Sequence, residues 1–175
     1  MPLLAPDRYL TDVHAIDLDA LAADGIEALL VDLDNTILPR DTNSVPPELA
    51  EWVFGLSQRG FKVCLVSNNW HERARIVAAE LGLDLVAKAI KPLPFAFWLA
   101  TSKLGVRAQR CAVIGDQLFT DVLGGKIVGA MTIMVLPLSE TDLPHTLLLR
   151  RLEARIMKGA RADGPQCTDR GVDPT

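Results

Sequence analysis

The chain has 175 residues, of which 49% are hydrophobic and 23% are charged. This length suits one domain with a single core, and the composition excludes a disordered chain. The formal net charge is -4, so the molecule as a whole has no electrostatic attraction for nucleic acid, and we expect no nucleic-acid partner.

Short β-branched runs alternate with helical stretches, a pattern typical of parallel strands joined by crossover helices. Residues 1–25 form a lead-in segment with a weak helical pattern. The predicted strands are residues 26–33, 61–67, 84–87, 111–115 and 131–136, and the predicted helices are residues 47–59, 72–81, 94–104, 118–128 and 143–157. The pattern therefore predicts one α/β domain over residues 26–158, a three-layer Rossmann-like fold with a central parallel sheet of about five strands. Residues 159–175 are polar and contain Pro and Gly, which is typical of a flexible tail.

The cysteines and the N-terminal residues give information about the cellular location of the protein. Cys64, Cys111 and Cys167 are an odd number, and the first two lie in apolar runs, so we expect no disulfide framework. The N-terminus lacks a charged start followed by an apolar run, and no stretch reaches the roughly 18 apolar residues of a membrane span. We expect a cytoplasmic protein, one able to lie peripherally on the inner membrane surface.

The first predicted strand ends in Asp32 and Asp34, followed by Asn35 and Thr36. Side chains at i and i+2 of an extended segment lie on the same face, about 6.6 Å apart, so both carboxylates can address one ligand. Cleavage of a phosphate ester needs a nucleophile on one side of phosphorus and a proton donor for the leaving oxygen on the other. We expect Asp32 to attack and Asp34 to protonate. The alternative is that Asp34 or Asn35 only caps a turn.

The next two strand ends carry groups that suit a phosphate. Ser67 and Asn68 follow the second strand, and the Ser67 hydroxyl can donate to a phosphoryl oxygen, although such a run is also typical of a turn. Lys91 precedes a proline after the third strand, where a fixed ammonium would balance the charge of carboxylate and phosphate. Lys88 competes for this role, and a solvated Lys91 is the alternative.

The fourth strand runs into Asp116 and then Asp121. Magnesium takes oxygen ligands, typically one or two carboxylates with substrate phosphate and waters, so Asp116 can supply a second carboxylate beside Asp32. We place Asp121 near the metal or in its outer shell. The alternative is that both acids only favour a helix N-terminus. Gly124 and Gly125 predict a close approach of helix to sheet.

These elements, in this order on four successive strand ends, resemble the haloacid dehalogenase (HAD) superfamily of phosphohydrolases. The matching motifs are DxDxT at residues 32–36, Ser67, Lys91, and GDQxxTD at residues 115–121. The runs LVDLDNT, VSNN, KPLPFAF and GDQLFTDVLGG are similar to the subclass IIIA branch, which includes the mitochondrial phosphatidylglycerophosphate phosphatase.

The resemblance implies roles for the matching residues. Asp32 would be the nucleophile and Asp34 the general acid/base, while Ser67 and Lys91 would contact the phosphate. A Mg²⁺ cofactor would be held by Asp32, the main-chain carbonyl of Asp34, and Asp116. We add Thr36 and Asn68 to the expected phosphate contacts.

The short spacing between the motifs bears on the substrate. The predicted helices and strands account for the residues between successive motifs, so no room remains for a cap domain. An uncapped site suits a bulky phosphorylated substrate, and a lipid head group, that of phosphatidylglycerophosphate, is the first candidate. The alternatives are a phosphoprotein or nucleotide phosphatase, and a non-catalytic phosphate-sensing assembly domain.

The last predicted helix, residues 143–157, carries apolar residues near helical spacing, with Arg150, Arg151 and Arg155 between them and Lys158 just beyond. Such a helix can lie on an anionic bilayer and would make the protein a peripheral membrane protein. The alternative is a helix that packs its apolar stripe on the sheet and leaves a solvated basic face.

Overall fold

A six-stranded parallel sheet forms the centre of the protein. The structure is a computed structural model, and it describes residues 3–40, 42, 44–69, 72–139, 152–153, 155–157 and 162–163. The strands are β1 (Arg8–Leu10), β2 (Ala28–Val31), β3 (Lys62–Val66), β4 (Asp84–Val86), β5 (Cys111–Gly115) and β6 (Met131–Val135). They lie in the order β1-β6-β5-β2-β3-β4, so β2 is flanked by β5 and β3.

Helices follow the strands as the alternating pattern predicts. The α-helices are α1 (Leu18–Ala23), α2 (Pro47–Gln58), α3 (Arg73–Leu81), α4 (Pro94–Leu104) and α5 (Leu123–Val128). Short 3-10 helices span Val13–Ala15 and Ala108–Arg110, and a π-helical turn, Leu118–Val122, runs directly into α5. The β2–β3 connection holds α2 and the β3–β4 connection holds α3, so neither connection contains a cap domain within the described residues.

The sheet separates two apolar cores because successive strand side chains point to opposite faces. Leu29 and Val31 of β2 belong to a cluster that includes buried residues of α2 and α3. Ala28 and Leu30 of the same strand belong to a second cluster, which includes Phe97 of α4. Helices therefore cover both faces of the sheet, and the predicted three-layer α/β fold is confirmed.

The sheet has one strand more than the sequence pattern predicts. β1 lies within the predicted lead-in segment and pairs in parallel with β6, with Arg8 opposite Ile133. Asp7 supports this edge, because its Oδ2 accepts hydrogen bonds from the main-chain N and the hydroxyl of Thr132 at 2.8 and 2.9 Å. A three-residue, half-buried strand is too short to show a period of two.

The C-terminal helix predicted over residues 143–157 lies mostly outside the described residues. Within its described part, Glu153 is buried, whereas Leu152 and Ile156 are exposed. Among the described residues, no helix combines the length and the apolar character that crossing a bilayer requires.

Both glycines of α5 let this helix lie close to its neighbours, but only Gly125 faces the sheet as predicted, because Gly124 faces Phe97 of α4. A Cβ at Gly124 would lie 2.3 Å from Cε2 of Phe97 and 3.3 Å from the Cα of Pro92. A Cβ at Gly125 would lie 2.7 Å from Cγ2 of Thr132 in β6.

Gly124→Ala is therefore expected to destabilise the protein by about 1–3 kcal/mol, the usual cost of overpacking a filled core. Gly55→Ala is the matched control, because Gly55 lies inside α2 and a Cβ there would meet nothing within 4 Å. The control should be stabilised by about 0.5–1 kcal/mol through helix propensity. Urea unfolding measures both changes, and equal midpoints for the two variants would show that α5 does not need the close approach.

Candidate active site

The acidic cluster lies where the carboxyl ends of β2 and β5 meet. These strands are parallel neighbours with Val31 opposite Ile114, so Asp32 and Asp116 emerge at the same edge of the sheet. Asp121 joins them from the π-helical turn, and a carboxylate oxygen of each lies within 4.8 Å of those of the other two. All three carboxyl side chains are buried.

Asp121 reaches the cluster because Gly115 has no side chain. A Cβ at Gly115 would lie 2.2 Å from the Cγ of Asp121. The hydroxyl of Thr120 and the main-chain N–H of Gln117 donate to Oδ2 of Asp121 at 3.0 and 3.4 Å. The glycine of the GDQ run is therefore a packing requirement of the site.

Lys91 places its ammonium among these carboxylates. Its Nζ lies 2.5 Å from Oδ1 of Asp32 and 2.7 Å from Oδ1 of Asp121. Its main-chain N–H donates to Oδ1 of Asn68 at 2.7 Å, which ties the Lys91 loop to the end of β3. Lys88, the competing candidate, has an exposed side chain, so Lys91 is the lysine within the site.

Burial and crowding control the charges in the cluster. Burial, opposed by the charge of Lys91 and assisted by the charges of Asp121 and Asp116, raises the pKa of Asp32 to about 7. Burial alone would lower the pKa of Lys91, but the charges of Asp121 and Asp32 and their hydrogen bonds raise it above its ordinary value. The lysine therefore stays protonated at neutral pH, while Asp32 keeps its proton to a higher pH than an ordinary aspartate.

The charge and chemistry of the cluster fit a divalent cation. When ionised, the three carboxylates carry three negative charges and Lys91 carries one positive charge, so a charge of +2 would bring the sum to zero. Carboxylate oxygens are the ligands that hard divalent cations prefer. Asp32, Asp116 and Asp121 are thus able to hold such a cation together.

Asp34 is buried, but it is not part of this acidic cluster among the described residues. Arg73, the first residue of α3, forms an ion pair with Oδ1 of Asp34. The side-chain nitrogen of Asn69 donates to Oδ2 at 3.1 Å. Arg73 also donates to the carbonyls of Pro39 and Thr42 at 2.6 and 2.8 Å. One guanidinium therefore ties α3 to the segment that follows Asp34.

The other predicted phosphate residues line the same strand ends. The Thr36 hydroxyl donates to Oδ2 of Asp32 at 3.1 Å, so it orients that carboxylate. Ser67 is fully buried, and its Oγ accepts the main-chain N–H of Asn69 at 3.0 Å. Because that bond uses a lone pair, the hydroxyl proton stays available to an oxygen ligand. Asn68 has its side chain bonded to the main chain of Lys91.

Sequence reasoning missed two residues that support the site. Arg73 holds Asp34, and nothing in the local sequence pattern indicates this pairing. Glu153 is the second: its Oε1 accepts the main-chain N–H of Leu118 at 2.7 Å, at the start of the π-helical turn that carries Asp121. Each contact joins segments far apart in the chain, which local patterns do not reveal.

Comparison with known proteins shows that the residues of the site lie within a region shared with a known family. A family model described as haloacid dehalogenase-like hydrolase matches residues 7–129, a range that contains every residue of the acidic cluster and Lys91. The probable phosphatase YqeG of Bacillus subtilis (strain 168) is 35% identical over 159 residues, which cover 91% of this chain and 92% of that protein. The phosphatidylglycerophosphate phosphatase 1, chloroplastic/mitochondrial, of Arabidopsis thaliana is 26% identical over 87% of this chain and 47% of that protein.

A solved structure shows the same fold at low sequence identity. The cobalt-bound form of deoxy-D-mannose-octulosonate 8-phosphate phosphatase from Haemophilus influenzae superposes with a TM-score of 0.53 at 18% identity. The match covers 77% of this chain and 88% of that one.

The raised pKa of Asp32 predicts pH-dependent cation binding. Its pKa in the cation-free protein is about 7, so below pH 7 a proton competes with the cation for this carboxylate. The affinity for Mg²⁺ should be nearly constant above pH 7 and fall by up to about tenfold per pH unit below it. Isothermal titration calorimetry between pH 5.5 and 8.5 measures this dependence.

Asp32→Asn is the control for this measurement, because an amide does not titrate. The variant should bind Mg²⁺ more weakly but with a flatter pH profile. If the Mg²⁺ affinity of the variant depends on pH as steeply as that of the wild type, the proton that competes with the cation binds to a group other than Asp32.

Proposed function

We propose that this chain, which belongs to the haloacid dehalogenase-like hydrolase family, is a magnesium-dependent phosphomonoesterase that works through an aspartyl-phosphate intermediate. The observation that supports this most is the setting of Asp32, a buried carboxylate between the ammonium of Lys91 and two further acids. Asp34 lies just beyond it on the same strand end, outside the cluster.

In the first step, an oxygen of the Asp32 carboxylate attacks phosphorus in line with the leaving oxygen. A bond forms between Asp32 and phosphorus while the bond from phosphorus to the leaving oxygen breaks. Asp34, protonated at this stage, gives its proton to the leaving oxygen and releases an alcohol.

In the second step, a water molecule attacks the phosphorus of the aspartyl-phosphate. Asp34, now a carboxylate, takes a proton from this water, and the bond between phosphorus and Asp32 breaks. The products are inorganic phosphate and the free Asp32 carboxylate, so Asp34 ends the cycle protonated as it began.

The remaining residues hold the phosphoryl group and balance its charge. Lys91 stays near the Asp32 oxygen and would pair with a phosphoryl oxygen, while the buried Ser67 hydroxyl donates to another. We assign the cation to Asp32, Asp116 and the main-chain carbonyl of Asp34, with Asp121 beside it. Mg²⁺, when bound, would neutralise charge on the phosphoryl oxygens.

We propose a phospholipid, phosphatidylglycerophosphate, as the substrate. Relatives from Arabidopsis thaliana and Chlamydomonas reinhardtii that bear the name phosphatidylglycerophosphate phosphatase 1 support this, at 26% and 27% identity. The surface beside the site supports it independently. Five apolar side chains close to Lys91 along the chain are 46–56% exposed: Ile90, Leu93, Phe95, Trp98 and Leu99.

Three of the exposed apolar residues lie in the first half of α4, and the other two lie in the segment that leads into it. This helix begins three residues after Lys91 and runs back toward the start of β5, so its first turns border the catalytic edge of the sheet. Phe95, Trp98 and Leu99 share one helical face because they are spaced by three and four residues. Trp and Phe on an exposed face are typical of a surface that meets the membrane interface.

Asp32→Asn is expected to lower phosphate release from an aryl phosphate by a factor of about 10³ or more, because an amide is a poor nucleophile. EDTA should abolish the wild-type activity. Asp84→Asn is the matched control, since Asp84 is exposed at the start of β4 and its weak ion pair with Lys103 is 3.9 Å long. If the Asp32→Asn variant keeps a rate within tenfold of the wild-type rate, Asp32 is not the nucleophile. If the wild type itself shows no turnover, the result favours a non-catalytic phosphate-sensing domain.

Replacing Phe95 and Trp98 together by serine should lower the rate on phosphatidylglycerophosphate in anionic vesicles by about 10- to 30-fold. Two half-buried aromatic rings contribute about 2 kcal/mol of membrane attachment, which corresponds to that factor. The rate on a soluble aryl phosphate should not change. Phe54→Ser is the control, because Phe54 is 64% exposed on α2, in the other helical layer. A double variant that keeps the wild-type rate on vesicles would favour a phosphoprotein or nucleotide as substrate.

A further inference from the structure

Arg73 is a largely buried cation beside Asp34, the proposed general acid/base. Its side chain is 10% exposed, as is that of its partner Asp34. The guanidinium donates to Asp34 and to the carbonyls of Pro39 and Thr42, which accounts for three of its five N–H groups. Within the part of the chain that the structure describes, two N–H groups are left for a further acceptor.

The position of Asp34 in the proposed mechanism places Arg73 on the leaving-group side. Asp34 protonates the leaving oxygen, so that oxygen comes within one hydrogen bond of the carboxylate, and Arg73 lies one hydrogen bond beyond it. Two hydrogen bonds in sequence span about 6 Å. The terminal oxygens of a glycerol unit are about 5 Å apart, since each bond along it is about 1.5 Å long.

Both carboxylate oxygens of Asp34 face donors, since Oδ1 accepts from Arg73 and Oδ2 accepts from Asn69. These two contacts hold the carboxylate in a fixed position beside the guanidinium of Arg73.

We propose that Arg73 is a specificity-determining residue that binds a second phosphate on the leaving group of the substrate. This inference rests on the proposed phosphatase function. The substrate class it names is a phosphomonoester of a polyol whose other end carries a phosphodiester or phosphate. A guanidinium suits such a group because its paired N–H donors match phosphate oxygens.

Two matched substrates test the proposal without lipid tails. One is glycerol 3-phosphate, and the other is the same compound with a methyl phosphodiester on its first hydroxyl. The wild type should turn over the second with a kcat/KM about 10- to 100-fold higher, the range expected of charge-assisted hydrogen bonds. Arg73→Gln should reduce this preference to within about threefold, because it slows turnover of the diester substrate more than turnover of glycerol 3-phosphate.

Arg75→Gln is the control, because Arg75 lies on the same helix, is exposed and pairs only weakly with Glu72 at 3.9 Å. It should keep the wild-type preference. Arg73→Lys, which keeps the charge but not the paired donors, should retain part of it, and thermal unfolding of each variant checks that the fold is intact.

The outcomes separate the inference from the function on which it rests. A wild type without preference, an Arg73→Gln variant that keeps the preference, or equal losses on both substrates would overturn the role of Arg73. A wild type inactive on every phosphomonoester would instead overturn the proposed function. Phosphatidylglycerophosphate in detergent micelles forms a third arm. If both the lipid and the tail-free diester are preferred over glycerol 3-phosphate, the preference comes from the second phosphate. If only the lipid is preferred, the preference comes from the acyl chains and the proposal is overturned.

Discussion

The buried charge at the ends of β2 and β5 is the constraint on which the rest of the site depends. Asp32, Asp116 and Asp121 have oxygens within 4.8 Å of one another, and the ammonium of Lys91 is the cation that contacts two of them. Carboxylates removed from water repel one another and favour their neutral forms unless cations balance them. The pKa of Asp32 is raised because it is buried in a cluster where three carboxylates face one ammonium, and a divalent cation would balance the remaining negative charge. A cluster of this kind costs stability, which is typical of sites that exist for chemistry rather than for folding.

The fold supports this cluster through contacts that do not themselves touch phosphate. Gly115 leaves room for Asp121, and Glu153 accepts the N–H of Leu118 at the start of the turn that carries it. Asn68 holds the main chain of Lys91 on the neighbouring strand end. The close packing of α5 on the sheet, which Gly125 permits, keeps this turn against the sheet. Backbone geometry therefore places each charge, and the side chains have little freedom to separate.

The sequence predicts well what is local and poorly what joins distant segments. Alternating strands and helices, the carboxylates after β2 and β5, and the three-layer fold all follow from periodicity and from residues at strand ends. β1 was missed because three half-buried residues show no period. The partnership of Arg73 with Asp34 was missed because Arg73 and Arg75 look alike at the start of a helix, and only the folded chain brings one of them to the carboxylate. Lys91 and Lys88 also look alike in the sequence, and only their burial in the folded chain shows that Lys91 is the lysine of the site.

The central claim is that Asp32 carries the phosphoryl group during turnover, and trapping that species tests it most directly. Protein mixed with Mg²⁺ and an aryl phosphate, quenched in acid within milliseconds and digested, should yield the peptide that contains Asp32 with the added mass of one phosphoryl group. Reduction with borohydride should convert that residue to homoserine, because acyl phosphates are reduced and phosphate esters are not. Phosphate release without any modified peptide under these conditions, or a modification that maps to another residue, would contradict the account.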